Sequence, residues 1–382
     1  MPASVRLAAF YCAHFIHGGL FMAYFPLWLA WRGFGAVEIA WVLALPQIMR
    51  TFAPAGWGLA ADRTGALRAL VAFSSVGAAA GFAALPFAGS FTAVVLVIGL
   101  ASVFLAGPLP LVEAITLGAV AGQPGRYGPI RVWGSVGFIA AVLVGGAWLD
   151  VAPVRALPWA LLGFALVAFA VALSLPSGGA RADLESAHGR LGRAAPRRID
   201  GPILRLLACG FCMAAAHGTL YAFFTLHLER LGYRVTTIGV LWTLGVVAEI
   251  VVFFCLPQLF RRFSLSTILM ASFACAVIRF LLLGWLADAL WLLVVAQLLH
   301  AATFGAFHAA AVVAVHRVFP EAAQARGQTL FSSVAYGAGG AVGALAAGWL
   351  WQAGGPGLAF SLSALVGLPG LLFAHSLKRA GL

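Results

Sequence analysis

The chain has 382 residues, of which 63% are hydrophobic and only 9% charged, with a formal charge of +12. A soluble domain carries about a quarter charged residues to cover its surface, so water is not this protein's main solvent and no sizeable soluble domain is expected. In a soluble protein the positive balance would point to nucleic acid. Here the basic residues sit between apolar blocks, where they set membrane topology, and no nucleic-acid partner is expected.

Taken in chain order, apolar blocks run over 7–29, 37–60, 68–88, 91–120, 129–149 and 153–175. A second set runs over 202–226, 236–260, 265–287, 289–316, 328–350 and 356–376. A helix needs about 20 residues to cross a hydrocarbon core about 30 Å thick, so the expected fold is an all-α membrane protein of twelve transmembrane helices. The first block follows Arg6 and lacks a small-x-small cleavage site before Arg32. It is too long for a signal peptide and counts as a span. Between the two sets, 176–201 is rich in Gly, Ala and Arg (Arg181, Arg190, Arg193, Arg197, Arg198). It reads as a linker between six-helix bundles 1–175 and 202–382. Connections on the side of the termini and linker hold about 17 Lys and Arg, against Arg32, Arg155, Arg230 and Arg234 opposite. Both termini are therefore expected in the cytoplasm, with the chain in a bacterial-type inner membrane.

The two sets repeat. His17-Gly18-Gly19-Leu20-Phe21 matches His217-Gly218-Thr219-Leu220-Tyr221, and Gly33-Phe34 matches Gly232-Tyr233. A parallel repeat of about 200 residues predicts two related bundles, an architecture that transporters rock around a site at the membrane midplane. The five cysteines (Cys12, Cys209, Cys212, Cys255, Cys275) lie within apolar stretches. Cys209-x-x-Cys212 reads as small-residue packing, not as redox or metal chemistry.

Charges inside spans are the most informative letters, because each costs about 2.5–3.5 kcal/mol at the bilayer centre on insertion scales. Arg50 falls past the middle of span two, Glu249 at the matching place in span eight, and Arg279 in span nine. Glu249 is the leading proton carrier, since desolvation favours a protonated carboxyl; the alternative is a buried ion pair. Arg50 has two readings, pairing with a substrate carboxylate or with Glu249. Glu113 and Arg131 stand at similar depth and are expected to form a salt bridge, with Glu113 also a candidate in proton coupling. His300, Phe304 and His308 recur every four residues and stack on one helical face, and His217 and Tyr221 share that spacing. Together they are candidates to line a pocket, with His300 and His308 able to relay protons. No carboxylate or thiolate stands near them at ligand spacing, so no metal is expected. Glycines concentrate in spans five and eleven, including Gly339-x-x-x-Gly343, where backbones can approach closely. Pro108 and Pro110 should bend span four, and Pro46 and Pro54 span two.

Gly58-Leu59-Ala60-Ala61-Asp62-Arg63-Thr64-Gly65 resembles the Gly-x-Leu-x-Asp-Arg-x-Gly loop of the major facilitator superfamily, with its later basic positions represented only by Arg68. Tyr127-Gly128-Pro129-Ile130-Arg131-Val132-Trp133-Gly134-Ser135-Val136-Gly137-Phe138 resembles the fifth-span signature of the phenylpropionate permease group and its nucleoside-symporter relatives. Ala215 to Gly218, Leu241 to Glu249 and Gln297 to Phe304 also resemble that group. The resemblance implies a gating role for Gly58, Asp62, Arg63 and Gly65. It also implies proton-coupled uptake of a small aromatic or other organic acid by alternating access; a functional monomer without cofactors is expected. Alternatives within transport are a nucleoside or sugar symporter and proton-driven efflux of amphipathic compounds; outside it, a membrane receptor or scaffold. No nucleophile elbow or phosphate-cradling loop occurs in the connections, so no enzymatic activity is expected.

Overall fold

Eleven stretches of helix are long and apolar enough to cross a membrane, in a computed structural model that describes residues 2–121, 123–176, 200–320 and 323–379. They are α1 (Ala3–Trp31), α2 (Ala36–Thr64), α3 (Leu67–Phe87), α4 (Phe91–Ala119), α5 (Tyr127–Leu149) and α6 (Val154–Leu173). Then come α7 (Gly201–Arg230), α8 (Val235–Arg262), α9 (Leu265–Trp285), α10 (Leu290–Val318) and the stretch Gln324–Lys378. The arginines of the expected linker lie outside the described residues.

The last stretch is two antiparallel arms, α11 (324–353) and α12 (356–378), because helical geometry breaks at Gly354 and Gly355. Neighbouring residues of α7 show the reversal. A Cβ on Gly218 would strike the Gly343 backbone, while Thr219 Oγ1 donates to the Ala359 carbonyl at 3.2 Å. Residues 343 and 359 would stand about 24 Å apart along one straight helix. Only a fold-back brings both to the same turn of α7.

Helix ends follow local chemistry. Ser90, Asp200 and Ser264 cap α4, α7 and α9 by accepting the amide of the third residue on. The turns α1–α2 and α7–α8 place Gly33 (φ 82°) and Gly232 (φ 83°) in the left-handed region, so the repeat read in the sequence is also a repeat of backbone geometry. Helix α4 breaks at Ala106 and Gly107, just before Pro108, and the Trp57 indole N–H donates to the Val103 carbonyl beside the break at 2.8 Å. The most apolar window of α7 is 78% buried against 22% for α2, so α7 is covered on most sides while α2 leaves much of its surface uncovered.

Helices α1–α6 pack among themselves, as do α7–α12, and the two sets meet along α1–α7, α2–α11 and α5–α8. At the end away from the termini the meeting is tight. The Tyr24 hydroxyl donates to the Val142 carbonyl within the first half, Gly239 of α8 lies against both, and Gly146 and Gly239 let α5 and α8 touch backbone to backbone. Asp150, just past α5, reaches across to the start of α8. Its carboxylate accepts from the Val235 amide (2.9 Å), the Thr236 amide (3.3 Å) and the Thr236 hydroxyl, with Arg234 Nε at 3.3 Å. It thereby caps a helix of the other half. Burial alone would raise this carboxyl's pKa; the hydrogen bonds from Thr236 and Val235 and the Arg234 charge outweigh it and hold the pKa below the ordinary value. Contact between the sets continues to mid-height, where Ser333 Oγ donates to the Thr51 carbonyl at 3.3 Å. Nearer the termini, 108–119 of α4 and 307–332 of α10 and α11 pack against their own halves.

Candidate functional site

Mid-height residues from α2, α7, α8, α10 and α11 gather near the seam between the halves. Helix α10 is not regular here. Residues Ala301–Ala306 form a π-helical turn, and so do Ser333–Gly339 of α11. Such wide turns are uncommon and concentrate at functional sites. The rings of His300 and Phe304 stack with centroids 5.3 Å apart and 12° between planes, and Phe304 and His308 follow at 6.1 Å and 10°. The four-residue ladder expected from spacing is present, and the wide turn counters the drift such spacing accumulates in an α-helix.

Glu249 points at this ladder. Its Oε2 lies 3.8 Å from His300 Nε2, and the pair is 17% and 10% exposed at the side chains. Gly305 permits the approach, because a Cβ there would stand 3.0 Å from the Glu249 side chain. The expected alternative of an Arg50–Glu249 pair is not formed. Arg50, on α2, stands where α2 meets α11, whereas α8 turns Glu249 toward α10. Among the described residues Arg50 has no hydrogen-bond or ion-pair partner, and its side chain is exposed. The cation within electrostatic reach of Glu249 is Arg131 of the other half.

Arg131 and Glu113 do meet, Nε to Oε1 at 3.7 Å, with 30% and 39% of their side chains exposed. The guanidinium lies over the rings of Phe15 (4.5 Å to the centroid) and Tyr11 (5.2 Å).

His217 is placed differently from the pocket role expected for it. It is 2% exposed and belongs to a buried network around Arg279, which is 1% exposed. Arg279 donates through Nε to the Ala296 carbonyl (2.9 Å), through Nη2 to Gln297 Oε1 (3.2 Å), and through Nη1 to Thr303 Oγ1 (3.1 Å) and His217 Nε2 (3.2 Å). His217 Nδ1 lies 2.8 Å from the Met213 carbonyl, which can only accept, so Nδ1 carries the proton and Nε2 receives the arginine's. These partners of Arg279 are neutral. The network ties α7, α9 and α10 together, and its logic is structural: removing one member strands a buried charge. Tyr221, one turn along α7, is half-buried and stacks on Trp242 at 6.4 Å and 10°.

Sequence reasoning missed Tyr336 and the anchoring role of Arg279. Tyr336 sits in the π turn of α11, its hydroxyl 2.6 Å from His308 Nδ1. A lone tyrosine between small residues carries no periodic signal. Arg279 carried one, as a charge inside a span, but only packing identifies its partners. Among the described residues no group of three His, Cys, Asp or Glu side chains is placed to hold a metal ion.

The model of the MFS_1 like family matches residues 4–362. The chain belongs to this family. The family member is 31% identical over 96% of its length to the probable 3-phenylpropionic acid transporter of Escherichia coli K12, covering 95% of that protein. It is 29% identical to the maltose permease of Geobacillus stearothermophilus over 99% of this chain and 96% of that one. Among solved structures it superposes on the nucleoside transporter NupG with a TM-score of 0.83 at 17% identity, covering 99% of both chains. The peptide transporter POT follows with a TM-score of 0.78 at 12% identity, over 99% of this chain and 94% of that one. At such identities the structures establish the fold, that of a major facilitator transporter. In this family member the loop after α2 closes on Gly65 (φ 64°) as a left-handed cap, with Asp62 and Arg63 exposed in the last turn. A Cβ on Gly58 would meet nothing within 4 Å.

Proposed function

We propose that this transporter carries a small aromatic or other organic acid together with protons, by alternating access of the bundles 1–175 and 202–382, as a monomer in a bacterial inner membrane. With both termini read as cytoplasmic, the Tyr24, Gly239 and Asp150 contacts are the outer seal. Glu249 takes the coupling proton. The observation that carries this reading is the 3.8 Å pair of Glu249 with His300. A carboxylate partly open to the cavity, paired with a histidine and not with a fixed cation, can gain and lose a proton without stranding a permanent charge. The aromatic ladder of His300, Phe304 and His308 supplies a stacking surface for an aromatic solute. The 31% identical relative, named for 3-phenylpropionic acid, supports the substrate class. Gly58, Asp62, Arg63 and Gly65 belong to the inner gate.

The test is uptake of radiolabelled 3-phenylpropionate into proteoliposomes under an inward proton gradient. Wild type accumulates the acid, and Glu249→Gln abolishes gradient-driven accumulation while retaining exchange down a concentration gradient. Folded wild-type protein that accumulates no organic acid overturns the substrate class and turns attention to nucleosides and sugars.

A further inference from the structure

Arg131 and Arg50 each lie within electrostatic reach of side chains of the other half, and they differ in what already neutralises them. Arg131 has Glu113 at 3.7 Å and two aromatic faces beneath it. Arg50 has no such partner among the described residues. It is nevertheless held at the seam, not at a free margin. Its neighbour Thr51 accepts from Ser333 of α11 at 3.3 Å, and a Cβ on Gly340 would stand 3.5 Å from the Gln47 side chain one turn away. A guanidinium at mid-membrane without a counter-charge is costly and must be served by water or by an anion brought in from outside.

The packing of α11 against α2 that fixes Arg50 also fixes Tyr336, in the π turn beside the same contact. Tyr336 and Tyr221 both lie within electrostatic reach of Arg50, one from α11 and one from α7. Tyr336 in turn joins the aromatic ladder of α10 through its 2.6 Å hydrogen bond to His308 and a ring contact at 5.8 Å.

We infer, on the acid-transport reading above, that Arg50, Tyr336 and Tyr221 form the subsite that receives the carboxylate of the solute, with His308 as the residue that orients the Tyr336 hydroxyl. The 2.6 Å bond can run in two directions. If the phenol donates to Nδ1, its oxygen turns lone pairs toward the cavity and repels an anion. If Nδ1–H donates to the phenol oxygen, the phenol's own hydrogen is free for a carboxylate. A bound carboxylate therefore selects the Nδ1–H form of His308. Arg50 supplies the charge, the two phenols supply directed donors, and Phe304 is left as a wall for the apolar body. Arg131, already neutralised by Glu113, is not the anion's partner.

The experiment compares binding of 3-phenylpropionate and its neutral amide to purified protein, measured by calorimetry on wild type and on Arg50→Gln, Arg50→Lys and Tyr336→Phe. Wild type should prefer the acid. Tyr336→Phe should weaken acid binding about tenfold, the scale of one hydrogen bond to a charged group, and change amide binding by less than about twofold. Arg50→Gln should erase the preference and Arg50→Lys restore part of it. Nitrogen NMR of the His308 ring should show the Nδ1–H form gaining population with the acid and not with the amide. Equal losses for acid and amide in Tyr336→Phe, or an unchanged preference in Arg50→Gln, would overturn the subsite. Should Arg50→Gln fail to fold, Tyr336→Phe and the ring tautomer decide. Wild-type protein that binds no organic acid overturns the acid-transport reading itself. Acid binding indifferent to Arg50 and Tyr336 overturns the subsite alone.

Discussion

At the end away from the termini, Gly146 and Gly239 let the two halves touch; toward the end that carries the termini, Gly58 meets nothing. A Cβ on Gly239 would collide with the Val142 carbonyl and stand 2.7 Å from the Tyr24 hydroxyl, whereas one on Gly58 meets nothing within 4 Å. The sealed end is held by backbone contact and by the Asp150 carboxylate that caps α8 from the other half. Sealing here needs very little side chain, and it depends on a few positions where none is tolerated.

Three changes break or sharpen that contrast. Gly239→Ala should have the largest effect. Overpacking costs about 1–3 kcal/mol, and a cost confined to the sealed end shifts the balance of states by about tenfold or more. Uptake should fall accordingly, and a cysteine placed near Val235 should label faster from the outer face; unchanged labelling would mean the seam yields freely. Asp150→Asn should come next, raising the same labelling by about tenfold, the scale of losing one or two hydrogen bonds to a charged acceptor. Its pH signature follows from the direction of the shift. With the folded carboxyl pKa below the ordinary value, the clamp is fully present above about pH 5 and is lost only as pH falls through the lowered value. Wild-type labelling should therefore be flat between about pH 5 and 7, and a rise within that window would contradict the clamp. Gly58→Ala should matter least. Removing a helix-interior glycine gains up to about 1 kcal/mol and nothing here obstructs the new methyl, so the melting temperature in detergent should stay or rise slightly. A clear fall would show a close contact at Gly58.

The legible and illegible parts of the molecule divide along a physical line. Spans were legible because apolar length is a local property, and the charges inside them because insertion penalties make such residues rare. The Glu113–Arg131 pair followed from equal depth, and the ladder of His300, Phe304 and His308 from helical spacing. Gly354 and Gly355 end an arm where the apolar blocks also part. What the letters could not carry was choice among partners. Glu249 turned to His300, not to its repeat mate Arg50, and His217 was taken up by Arg279, because those contacts depend on how α8, α9 and α10 rotate against one another. The Asp150 clamp joins two connections 85 residues apart and exists in one arrangement of the halves, so no local pattern announces it.

The π turn of α10 gives one helix two different neighbourhoods. An extra residue in a turn rotates everything beyond it by about 100° relative to an unbroken α-helix. Gln297, before the turn, and Thr303, within it, face the buried Arg279, while the ladder that runs across the turn from His300 to His308 ends at Tyr336. The turn keeps the ladder in line while the neighbouring residues of the same helix hold the buried arginine. The offset works like a cranked shaft: the bearing stays in the core while the throw reaches the space where cargo passes.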